Sequence, residues 1–137
     1  MPASTFLLHS VLVALGGAMG AWLRYLVGLA WLRGIGPVAA GAFPWATLTV
    51  NLVGSFAMGL LAGVLARQGQ GGEEARLLVG VGVLGGFTTF SAFSLEMVNM
   101  VTRNEIGLAV AYATASVLGS MAALFIGLWI VRGLGAV

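Results

Sequence analysis

The sequence contains no cysteine, no lysine and no aspartate, and only one histidine. Without cysteine it has no disulfide framework, no thiolate chemistry and no sulfur-ligated metal site. Without lysine a phosphate loop lacks its cation, and His9 has no companion ligand for a metal, which leaves it an interfacial residue. Charge of either sign is scarce: charged residues make up 7% of the chain, against about a quarter in an ordinary soluble domain. The arginines are scattered at positions 24, 33, 67, 76, 103 and 132 and form no basic patch, which excludes nucleic acid as a partner. No basic residue precedes the first apolar run, and that run outlasts a secretory h-region, so it does not read as a signal peptide.

What remains is apolar. Hydrophobic residues are 60% of the 137, and mean hydropathy is +1.06. Windows of about 20 residues give four membrane spans. They cover residues 6–32, 45–66, 75–101 and 106–131, within a single domain. Residues 33–44, rich in Gly and Pro, read as a loop, residues 67–74 as a hydrophilic turn, and residues 102–105 as a tight connection. Four spans put both termini on one side, with Arg67, Arg76 and Arg132. Arg33 and Arg103 fall on the other side, with Arg24 close to it inside span one. The positive-inside rule has almost no asymmetry to act on, so charge permits insertion in both orientations or leaves the choice to weaker cues.

The third span carries the string Gly85-Gly86-Phe87-Thr88-Thr89-Phe90-Ser91-Ala92-Phe93-Ser94 where a lipid-facing helix would hold only large apolar residues. Irregular backbone at membrane depth is tolerated only when buried in protein or lining a wet cavity, so the string reads as pore or binding-site material. The preceding Gly80-Val81-Gly82-Val83-Leu84-Gly85 matches a dinucleotide fingerprint by chance, since no strand–helix alternation surrounds it. Other spans carry stripes at intervals of four: Thr47, Asn51, Ser55, Gly59 and Gly63; Gly16, Gly20, Arg24 and Gly28; Tyr112, Ser116 and Ser120. The glycines read as close helix packing. The polar members need partners, and there are more of them than one compact bundle readily satisfies. A second copy of the chain is therefore expected against the polar stripes.

The inward-facing groups are mostly donors: the Asn51 amide, the hydroxyls of Thr47, Thr88, Thr89, Ser91, Ser94, Tyr112, Ser116 and Ser120, and the Arg24 guanidinium. Phenylalanine ring edges are partly positive, and Phe87, Phe90 and Phe93 are expected on one helix face. Such a set suits a small, poorly polarisable anion better than a bulky organic substrate. Glu96 is the only acid inside a span. It pairs with Arg24, accepts from nearby hydroxyls, or snorkels to the interface. Arg24 either snorkels or acts electrostatically on an anion.

These residues resemble the small dual-topology fluoride channels of microbial membranes (the Fluc, or CrcB, type). The resemblance covers nearly the whole chain. It rests on Gly16-Gly17-Ala18-Met19-Gly20-Ala21-Trp22-Leu23-Arg24-Tyr25, on Thr47-Leu48-Thr49-Val50-Asn51-Leu52-Val53-Gly54-Ser55, and on Gly86–Phe93. It implies an all-α membrane protein with four helices per subunit, the third broken near its middle, paired as an antiparallel homodimer with two pores. The implied activity is passive, fluoride-selective export through a microbial cell (inner) membrane, without enzymatic chemistry. Asn51, Phe90, Phe93, Thr89, Ser91, Tyr112, Ser116 and Ser120 match the pore, and Arg24 and Glu96 its vestibule. The resemblance further implies a structural Na⁺ at the dimer centre, held by the backbone carbonyls of Gly85 and Thr88; carbonyl oxygens favour such a hard cation. Ala92 stands where the family usually has threonine, which bears on fine selectivity alone. A small multidrug-type transporter is the alternative, but that class needs a carboxylate near the middle of span one, and span one has none.

Overall fold

The computed structural model describes residues 2–68 and 72–133, all in helices and short connections. The elements are α1 (Ala3–Ala42), α2 (Trp45–Gln68), α3 (Glu73–Ala75), a π-helical run (Arg76–Leu84), α4 (Gly85–Phe87), α5 (Phe90–Thr102) and α6 (Ile106–Gly133). Among the described residues, four stretches are long and apolar enough to cross a membrane: Ala3–Ala42, Trp45–Arg67, Glu73–Thr102 and Ile106–Gly133. Gly69, Gln70 and Gly71, in the turn after the second span, lie outside the described residues.

The expected loop 33–44 is a correction. Helix continues to Ala42, interrupted only at Gly36, whose φ of 78° and ψ of 164° leave the helical region. Glycine tolerates that positive φ, and Pro37 then serves as the first residue of a new turn, where a missing N–H costs nothing. Gly and Pro thus mark a kink followed by more helix, and only Phe43 and Pro44 are non-helical before α2.

Glycine contacts hold the bundle together. A Cβ on Gly82 would lie 2.8 Å from the Gly16 Cα, so α1 and the π-helical run meet backbone to backbone. On the other side, a Cβ on Gly59 would strike the Leu124 carbonyl, and one on Gly127 the Phe56 carbonyl. The paired positions Leu52–Gly119, Gly59–Leu124 and Gly63–Val131 rise together, so α2 and α6 run parallel. Arg67 caps this pair by donating to the Val131 carbonyl near the end of α6. In lipid such close approach replaces the hydrophobic drive that water supplies elsewhere. Large apolar side chains such as Leu15, Trp22, Phe125 and Trp129 point outward, as a hydrocarbon solvent allows.

The third span is interrupted in its middle. Thr88 (φ −81°, ψ 159°) and Thr89 (φ −153°, ψ 124°) are extended. Thr88 closes the upstream helix, its N–H and its hydroxyl both donating to the Leu84 carbonyl at 3.0 and 2.9 Å. Thr89 opens α5 as an N-cap, its Oγ1 accepting from Ala92 N at 3.2 Å. The break separates Phe87 from Phe90 and Phe93. The expected face of three phenylalanines is therefore corrected to a pair on α5.

Candidate anion-binding cavity

Extended backbone in the middle of a membrane must find partners, and Asn51 provides them. Its Nδ2 donates to the Thr89 carbonyl at 3.1 Å, and its Oδ1 accepts from Thr89 N at 2.9 Å. One side chain of α2 thus satisfies both polar groups of the residue that breaks the third span. The break also alters the bonding of two carbonyls upstream. In an unbroken helix Thr89 N would close on Gly85 O and Ala92 N on Thr88 O. Here those amides turn to Asn51 Oδ1 and to Thr89 Oγ1 instead. Gly85 and Thr88 thereby keep carbonyl oxygens available to a hard cation, which fits a Na⁺ ligand set.

Next to the break is a cavity of about 270 Å³. The α2 side supplies Asn51 and Ser55, the break supplies Thr88 and Thr89, α5 supplies Phe90 and Phe93, and α6 supplies Ser116, Val117 and Ser120. Ser116 Oγ and Ser120 Oγ are buried and have no hydrogen-bond partner among the described residues. A buried hydroxyl without a partner calls for an explanation such as an ion or ordered water, because its desolvation is otherwise uncompensated. The Phe90 ring, 77% exposed, packs against Phe93 with centroids 5.4 Å apart.

Ser91 is exposed, within 3.3 Å of Thr89 Oγ1, and lies outside the cavity wall. Tyr112, one turn before Ser116 on α6, is not part of the cavity lining: its ring is fully buried and its hydroxyl donates to Glu96 Oε2 at 2.7 Å. Thr47 donates to the other oxygen, Glu96 Oε1, at 2.6 Å. Of the three fates open to Glu96, the structure selects the hydroxyls. Among the described residues no ion pair joins it to Arg24; the pairs found are Arg76–Glu73 and Arg103–Glu105, both 2.8 Å and exposed. Arg24 is half-buried on α1, away from the cavity lining. Glu96 also borders a smaller cavity of about 140 Å³ with Asn99 and Arg103, on the side toward the α1–α2 connection.

Sequence reading missed the aromatic support behind Phe93. Tyr112 sits between Phe93 at 5.2 Å and Phe43 at 5.5 Å, Phe43 packs on Trp45 at 4.5 Å, and Trp45 stacks on Trp31 at 5.6 Å. Trp31 is tied back to α2 by a bond from its Nε1 to Thr49 Oγ1 at 3.0 Å. The clustering of Phe43 and Trp45 around Pro44 was the available signal.

A family model described as CrcB-like protein, Camphor Resistance (CrcB), matches residues 11–128. The chain belongs to that family. It is 56% identical over 121 residues to a fluoride-specific ion channel FluC from Novosphingobium aromaticivorans, covering 88% of this chain and 94% of that protein. A FluC of the same description from Chelativorans is 52% identical over 126 residues, covering 92% and 98%. One from Hyphomonas neptunium is 55% identical over 123 residues, covering 89% and 94%. The matched residues 11–128 take in most of each of the four apolar helices and every residue lining the cavity, so the chain is a multi-pass membrane protein of a family whose relatives are named as ion channels.

Proposed function

We propose that this protein is a fluoride-selective channel, not an enzyme, that lets fluoride leave the cytoplasm passively and so lowers its level there. The observation that carries the reading is the cavity: buried serine hydroxyls without partners, set opposite phenylalanine rings beside a pinned helix break. Fluoride holds its water tightly, and a fixed set of donors replaces hydration without the cost of reorganising at each passage. Ser116, Ser120 and the remaining N–H of Asn51 supply donors, and the edges of Phe90 and Phe93 add partial positive charge. Thr89 and Ser91 shape the break, Tyr112 anchors Glu96 behind Phe93, and Arg24 raises anion concentration near the membrane surface. Glu96, neutralised in part by two hydroxyl donors, marks the vestibule side.

The working unit in this reading is an antiparallel, dual-topology homodimer in a bacterial inner membrane, one domain per subunit and two pores per dimer. Three features support it. Arginine is nearly balanced between the two sides, Phe90 is too exposed to be a finished wall, and the Gly85 and Thr88 carbonyls lack their helical amides. Those carbonyls, from both subunits, would hold Na⁺, which supplies positive charge that ties the two breaks together.

Purified protein in liposomes loaded with fluoride or chloride tests the reading. Rapid fluoride release with chloride retained is expected; equal release of both, or of neither, refutes it. Tags on the termini, probed for accessibility in cells, should find subunits in both orientations, and a single orientation removes the antiparallel pair.

A further inference from the structure

Hydroxyls in apolar helices commonly bond back to a carbonyl of the preceding turn. Several do so here: Ser10 to Phe6 O at 2.8 Å, Ser94 to Phe90 O at 2.9 Å and Thr102 to Asn99 O at 2.9 Å. Ser55 behaves differently. On α2 the polar side chains of Thr47, Thr49, Asn51 and Arg67 all find partners, whereas Ser55 forms no side-chain hydrogen bond among the described residues. It is half-buried and lines the same cavity as Ser116 and Ser120.

The helix register places it opposite them. A Cβ on Gly119 would come within 2.8 Å of Leu52 Cδ2, so residues 51–55 of α2 lie level with residues 116–120 of α6. Asn51 and Ser55 are one turn apart on one wall, and Ser116 and Ser120 one turn apart on the other. The donor inventory makes Ser55 matter. Asn51 Oδ1 and one of the two Nδ2 hydrogens are engaged with Thr89. The Thr88 hydroxyl is engaged with Leu84 O. Asn51 therefore offers one N–H, and among the described residues the other uncommitted donors lining the cavity from the two helix walls are the hydroxyls of Ser55, Ser116 and Ser120.

We propose that Ser55 is an ion-binding residue of this cavity, donating its hydroxyl to the permeating fluoride from the α2 wall, across from Ser116 and Ser120. The proposal rests on the fluoride-channel reading. Without Ser55 the α2 wall would offer the anion only the remaining Asn51 N–H; with it, each wall presents two donors.

The test is fluoride efflux from liposomes carrying Ser55→Ala, Ser55→Cys or Ser55→Thr protein, with unsubstituted protein alongside. Loss of one hydrogen bond to an anion corresponds to about tenfold or more in rate, so Ser55→Ala should slow efflux by about that factor. Ser55→Cys, similar in shape but a weak donor, should also be slow, while Ser55→Thr, which restores the hydroxyl, should recover most of the flux. A packing role predicts the reverse order, with the near-isosteric Cys tolerated and the larger Thr not. Efflux by Ser55→Cys equal to that of the parent overturns the proposal, even if Ser55→Ala fails to fold. Absence of flux in the parent itself overturns the channel reading, a result distinct from normal parent flux with indifferent Ser55 variants.

Discussion

Replacing Asn51 by leucine tests how the break in the third span is held. The substitution keeps the branched heavy-atom skeleton, with somewhat more bulk, and removes both bonds to Thr89, at 3.1 and 2.9 Å. Two backbone groups are then orphaned in a low-dielectric interior. At ~1–3 kcal/mol for each unsatisfied group, the loss is ~2–6 kcal/mol. Asn51→Asp separates the two halves of the interaction. It retains an acceptor for Thr89 N but turns a second carboxylate oxygen toward the Thr89 carbonyl, so at least ~1–3 kcal/mol is lost, and desolvation of the ionised carboxylate adds to it. It also places negative charge in an anion cavity, so fluoride efflux should vanish. Unfolding of detergent-purified protein, followed by the fluorescence of its tryptophans, measures the first effect, and liposome efflux measures the second. An Asn51→Leu protein that unfolds at the parent's midpoint would refute the pinning role. Full efflux by Asn51→Asp would refute the assignment of the cavity to an anion.

Three other substitutions follow from the same geometry. Tyr112→Phe keeps the ring between Phe43 and Phe93 but deletes the 2.7 Å bond to Glu96, and should cost ~1–3 kcal/mol in unfolding experiments. Gly59→Ala drives a methyl group into the Leu124 carbonyl and should destabilise by ~1–3 kcal/mol through forced separation of α2 and α6, read as a lowered thermal midpoint. Phe90→Ile removes a ring that is 77% exposed, so fluoride efflux should fall well before the unfolding midpoint moves. An equal fall in both would assign Phe90 to packing.

The four spans were legible because hydrocarbon permits so few backbone arrangements that an apolar run of sufficient length admits one interpretation. The break was legible for the same reason, as Gly85-Gly86 beside paired threonines has no lipid-facing use. Two features were not. The π-helical run Arg76–Leu84 consists of residues that suit an ordinary helix, and the i+5 bond from Gly85 N to Gly80 O reflects packing against α1 more than local preference. The helix beyond Gly36 was hidden because glycine and proline punctuate turns and kinks alike, and the five residues after Pro37 carry no polar signal to separate the two.

The site residues divide along a similar line. The sequence placed Asn51, Ser116 and Ser120 on stripes that must be satisfied, and the structure brings them to one cavity with Phe90 and Phe93. Periodicity could not tell which members of a stripe already have partners. Thr47 and Tyr112 belong to the same stripes as Asn51 and Ser116, yet their hydroxyls go to Glu96. An amide or hydroxyl whose bonds close within the protein holds the scaffold, and one left open in a dry interior is available to a ligand. Asn51 does both, with its oxygen and one N–H fixed on Thr89 and one N–H remaining. The rigidity that keeps the helix broken and the donors that would replace fluoride's water therefore meet in a single side chain. No substitution of Asn51 can remove one role and leave the other whole, and the serines around it are where the ion-binding role can be tested alone.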